Sequence, residues 1–99
     1  MAIERNLITS LLKLTKDGPV LIENVKKDSR ITSEVAIKLL QKLKKEGIIY
    51  LRNDKVEASN EGRLLLAVKA ASLGMDVEQV SSFLCWQEFE SIEIGRAHV

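Results

Sequence analysis

The chain has 99 residues, 45% apolar and 29% charged, the profile of one soluble domain that buries roughly 60–65% of its unfolded surface. A single His, His98, and a single Cys, Cys85, exclude an internal disulfide and a Cys/His zinc site. They also leave a Ser-His-Asp or Cys-His catalytic set dependent on a His at the second-last position. Net charge is +1, but 12 Lys/Arg against 8 Asp/Glu give +4 over residues 1–57, and 3 against 6 give −3 over residues 58–99. That asymmetry suits a polyanion-binding front half and a differently used tail.

Residues 2–16 predict a first helix. Ile3, Leu7, Ile8, Leu11, Leu12 and Leu14 recur at helical spacing between Glu4, Arg5 and Lys13. Asp17-Gly18-Pro19 ends it, Gly supplying a left-handed stop and Pro forbidding continuation. Val20-Leu21-Ile22 reads as a stub of strand or as the start of a second helix, which Glu23–Lys27 forms and which ends near Asp28-Ser29-Arg30. Thr32 then caps a third helix with Glu34 in its first turn. Its buried stripe is Ala36, Leu39, Leu40 and Leu43, with Leu39 and Leu43 expected on Leu11 or Leu12. Lys44 and Lys45 suit the last turn, and Gly47 stops the helix.

Ile48-Ile49-Tyr50-Leu51 is β-branched and aromatic, hence a strand. Arg52-Asn53-Asp54 is a turn, and Lys55–Ala58 alternates as the return strand of a hairpin. Ser59 caps a fourth helix from Asn60 to about Leu73, with Leu64, Leu65, Ala67, Val68 and Ala71 expected as its apolar side and Gly74 closing it. Asp76 opens a short helix, Val77–Leu84, and a sixth starts near Trp86 and carries Phe89 and Ile92.

Two short helices joined by a tight turn, the second running into a hairpin, define the expected fold class: mainly α with a small β-hairpin wing, followed by one or two C-terminal helices. ITSEVAIKLLQKLKKEGII (31–49) resembles the recognition helix of winged helix-turn-helix DNA-binding domains, with Leu43, Gly47, Ile48 and Ile49 at its exit. EASNEGRLL (57–65) is similar to that family's Ser/Thr-x-x-Gly-Arg motif after the wing, here Ser59, Gly62 and Arg63. The resemblance covers residues 3–74 and implies a DNA-binding domain over 1–74.

With the apolar stripe inward, Ser33, Glu34, Ile37, Lys38, Gln41 and Lys42 face outward. Gln41 suits adenine, Lys38 guanine or phosphate, and Ile37 a thymine methyl. Thr32 and Ser33, with the first helical amides, suit a phosphate. Arg30, Arg52 and Lys55 are expected on the DNA backbone from the turn and the wing, with Lys42 on the helix. Lys44 and Lys45, at the far end, read as a solvated face. Without an Arg on this helix, bidentate guanine contacts are missing and sequence specificity is modest.

Phe83, Trp86 and Phe89 gather three of the four aromatics in seven residues. This segment either folds back on helices one and four or begins a domain whose remainder is missing, in which case Trp86 and Phe89 stay partly exposed. Trp86, Phe89 and Glu90 resemble the opening helix of restriction-endonuclease-like nucleases, which implies Glu90 as a residue near a metal-dependent site. The family's strand-borne acidic and lysine motif is absent, so no cleavage is expected. Ile94–Val99 matches the translation of a sequencing adapter (ATCGGAAGAGCACACGTC), so residues 75–93 read as a helical linker and truncated start, and 94–99 as a non-native tail.

No apolar run approaches the ~18 residues of a membrane span, and MAIERNLITS lacks a signal-peptide layout. The expectation is a cytoplasmic, non-enzymatic module with no cofactor, no metal and no membrane partner. It binds double-stranded DNA, as the N-terminal targeting domain of a larger nuclease-like protein. The alternatives are a stand-alone transcription regulator, homodimeric through helices one, four and five, a winged helix that binds only proteins, and an enzyme fragment inactive alone.

Overall fold

The leucine-rich first segment forms α1, Ala2–Leu14, and inserts Leu7, Ile8, Leu11 and Leu12 fully into the core. The computed structural model describes residues 2–84. The readings that concern Trp86, Phe89, Glu90, Ile92, the sixth helix and the tail 94–99 lie outside the described residues. α1 stops two residues short of the expected boundary and tightens into a 3-10 turn, Thr15–Asp17, whose Thr15 hydroxyl donates back to the Leu11 carbonyl. Ile3, expected on the buried side, is 41% exposed.

Val20–Leu21 is a strand, β1, and the chain passes directly from it into α2, Ile22–Ser29. α2 ends on Arg30, whose left-handed backbone (φ 57) turns the chain and whose N–H donates to the Lys26 carbonyl. α3, Ser33–Lys45, starts on Thr32, whose side chain accepts from the Val35 N–H. It closes in a Schellman motif: Gly47 at φ 78 donates to the Lys44 carbonyl and Ile48 to that of Leu43. Ala36, Leu40 and Leu43 are buried, whereas Leu39 is only half-buried. Leu39 and Leu43 line a crevice with Leu7 and Ile8 of α1, and Leu43 shares the buried core with Leu11 and Leu12.

The hairpin is shorter than its sequence implied. Ile48 and Ile49 are buried by the helix exit, so β2 spans only Tyr50–Arg52 and β3 only Lys55–Glu57. Asn53 and Asp54 both have positive φ, as a two-residue type I′ turn requires and as Asn and Asp tolerate. β1 joins the other edge of β3, Val20 opposite Val56, so the sheet has three antiparallel strands in the order β1-β3-β2. Val56, at its centre, is fully buried.

α4, Asn60–Ser72, begins on Ser59, which accepts from the Gly62 N–H, and ends in a second Schellman motif at Gly74 and Met75. Its buried residues are Gly62, Arg63, Leu66, Ala67 and Ala70. This corrects the expected face: Leu65 and Val68 are 44% and 66% exposed, and Ala71 is exposed as well. α5, Val77–Ser82, is capped by Asp76 and contributes Val80 to the core.

Arg63 explains the change of face. It is 2% exposed, and one guanidinium nitrogen donates to the Leu12 carbonyl at 2.8 Å and to the Thr15 hydroxyl at 2.7 Å. The other donates to the Phe83 carbonyl. One side chain thereby ties the end of α1 and the end of α5 to the start of α4. Beside it, a Cβ on Gly62 would lie 2.3 Å from the Ile48 carbonyl oxygen, so the missing side chain is what lets α4 approach the α3 exit.

Candidate nucleic-acid interface

The strong amphipathicity of α3 leaves a polar outer face. Ser33, Glu34, Lys38, Gln41, Lys42, Lys44 and Lys45 are exposed, and Ile37 is 49% exposed among them. Lys38, Gln41, Lys42, Lys44 and Lys45 together line one shallow depression. Lys44 and Lys45 thus belong to the same surface as the residues singled out from sequence. Among the described residues, none of these lysines is held in an ion pair, so their charge is available to an incoming polyanion.

At the start of α3, Thr32 is occupied by capping. Ser33 accepts a hydrogen bond from the Lys26 ammonium at 2.7 Å, and the same ammonium pairs with Glu23 at 2.9 Å. The hydrogen bond from Lys26, and then its charge, hold the Glu23 carboxyl below its usual range. Lys26 escaped the sequence reading because it looks like an ordinary last-turn helix lysine. Only the tertiary turn brings it to the first residue of α3. There the positive end of the helix dipole favours an anion, while Glu23 already offsets the Lys26 charge and the exposed Glu34 opposes an anion.

In the hairpin, Arg52 and Lys55 are opposite one another across β2 and β3. With Pro19, Asn53 and Glu57 they line a second depression. Both are exposed, and neither is ion-paired among the described residues. Tyr50, 57% exposed on the edge strand β2, is a further candidate that the sequence reading used only as a strand former. Arg30 does not join either group: it lines a separate cleft formed with α1 and the α4–α5 connection.

The chain matches no protein-family profile, no curated protein and no solved structure. Its class is therefore that of its architecture, a mainly helical domain with a small three-stranded antiparallel sheet. Among the described residues no helix is long and apolar enough to cross a membrane.

Proposed function

We propose that this domain binds double-stranded DNA as a winged helix-turn-helix module. α2 and α3 form the helix-turn-helix, and the β2–β3 hairpin is the wing. The observation that carries the reading is the outer face of α3, where Lys38, Gln41, Lys42, Lys44 and Lys45 are exposed together with no ion pair among the described residues. A helix of 13 residues with one apolar side in the core and a cationic side in solvent suits the major groove, about 12 Å wide. In this pose Lys38 and Lys42 meet phosphates, Gln41 reads a base edge, and Arg52 and Lys55 hold the flanking backbone. Lys26 and Ser33 sit where the helix dipole favours a phosphate.

The test is binding to a labelled duplex across a range of salt. With three to five phosphate contacts, affinity falls at a log–log slope of about −3 to −4.5. Arg52→Ala lowers the slope by about one and weakens all sequences alike, whereas Gln41→Ala flattens the preference among sequences and leaves the slope in place. Reversing Lys38 and Lys42 together to Glu abolishes binding. A double reversal that changes neither affinity nor slope excludes α3 as the DNA-facing element and moves a protein-binding role ahead.

One observation favours a stand-alone dimeric regulator as the second reading: the solvent face of α4 presents Leu65 and Val68. Sedimentation separates the two, since a dimer that Val68→Glu dissociates supports the regulator.

A further inference from the structure

The Asp28 carboxylate forms part of a cleft of about 500 Å³ between α1, the end of α2 and the α4–α5 connection, within the usual size range of small-molecule sites. Its lining is polar apart from Met75. Ser10 and Ser29, at 2% and 4% exposure, are its most enclosed lining residues. The depression is therefore set into the fold and does not arise only from long side chains at the surface.

The charges in this cleft are unequally committed. Asp28 is engaged on both oxygens, accepting from the Ser10 hydroxyl at 2.6 Å on one and from the Lys13 ammonium at 2.9 Å on the other. Asp76 is engaged as the cap of α5. Arg5 and Arg30 also line the cleft, and neither is held by an ion pair or a side-chain hydrogen bond among the described residues. The side-chain amides of Asn6 and Gln79 are likewise uncommitted there. Lys13 offsets Asp28, and Asp76 keeps its charge; three cations, Arg5, Lys13 and Arg30, against two carboxylates leave the lining at +1, with both guanidiniums open to a ligand.

We propose that this cleft binds a small, polar organic oxyanion, a carboxylate or a phosphate ester, held by Arg5 and Arg30. The guanidinium fork matches the paired oxygens of either group and gains from a bidentate, charge-assisted geometry. Asn6 and Gln79 supply donors and acceptors for hydroxyl or carbonyl groups of the same ligand. The mostly polar lining disfavours a lipophilic one. This site is separate from the proposed DNA-binding face, and its residues, Arg30 apart, play no part in that reading.

The experiment is an NMR titration of the full chain with citrate and, separately, with inorganic phosphate, in the absence of nucleic acid. The expected result is saturable shifts at Asn6, Thr9, Arg30 and Gln79 with at least one of the two probes. Citrate acting alone assigns a carboxylate ligand, and phosphate acting alone a phosphate ester. Arg5→Gln and Arg30→Gln each weaken binding at least about tenfold, the loss expected for a charged hydrogen-bonding group. The double variant Lys38→Gln, Lys42→Gln leaves it unchanged. Both arginines are exposed, so their variants retain the fold, which the amide spectrum verifies. Shifts centred on Lys38–Lys45, or arginine variants that bind as before, overturn the proposal. So does a short duplex that shifts the cleft residues and competes with citrate, because the cleft then belongs to the nucleic-acid backbone. A chain that fails to bind duplex DNA leaves this result untouched.

Discussion

α3 and α4 are built to the same local plan and used in opposite ways. Each has 13 residues, opens on a hydroxyl cap that accepts from the N–H three residues on, and closes with a Schellman glycine. α3 sets apolar Ala36, Leu40 and Leu43 against a lysine-rich outer face. α4 is apolar or small at nearly every position from Leu64 to Ala71, and it shows Leu65 and Val68 to solvent while burying an arginine. Helical periodicity selects a face only where the two sides differ in polarity. In α4 they do not, and the choice falls to two residues near its start: Gly62, which allows close approach to Ile48, and Arg63, which finds acceptors on α1, the 3-10 turn and the end of α5.

The largest effect on this contrast is expected from Arg63→Met. It leaves the Thr15 hydroxyl and two backbone carbonyls without their guanidinium donor in a closed environment, for a loss of roughly 3–5 kcal/mol. Urea unfolding measures it, and a loss below about 1 kcal/mol, the usual range for a surface change, removes Arg63 as the organiser of α4.

Next comes a pair that tests the face itself. Leu66→Ala is expected to cost about 2–5 kcal/mol as a buried leucine, and Leu65→Ala, its neighbour, less than about 1 kcal/mol. Equal losses, or the reverse order, restore the face expected from sequence.

Gly62→Ala ranks third. The new methyl meets a backbone oxygen that no rotamer change can move away. The expected net loss is roughly 1–3 kcal/mol, despite the ~1 kcal/mol that alanine gains in helix propensity. A variant with a raised unfolding midpoint shows that α4 is free to shift.

The smallest effect lies in the α1–α2 contact at Asp28. A hydrogen bond from Ser10, then one from Lys13, holds the Asp28 carboxyl below its ordinary range. Because the folded-state value is depressed, this contribution is complete above the unfolded value of about 3.9 and disappears as pH falls through the folded one. Denaturation midpoints between about pH 4 and pH 2 are expected to fall more steeply for the native chain than for Asp28→Asn. Parallel curves exclude Asp28 as a source of acid sensitivity.

The order of elements, both hydroxyl caps, both glycine stops and the polar face of α3 follow from local sequence, because caps, turns and amphipathic spacing act within a few residues. For the same reason the candidate interface on α3 was legible as Lys38, Gln41 and Lys42, and the hairpin as Arg52 and Lys55. Contacts between residues far apart in sequence were not legible. Only tertiary structure added Val20–Leu21 to the sheet as a third strand through Val56, brought Lys26 to Ser33, and drew Arg30 to a cleft with Arg5. It alone turned Gly62 and Arg63 from a sequence pattern into a close approach and a buried clasp. A guanidinium finds its acceptors, and a glycine its tight neighbour, only after segments some 15 to 50 positions apart have been brought together, and no local periodicity encodes that meeting.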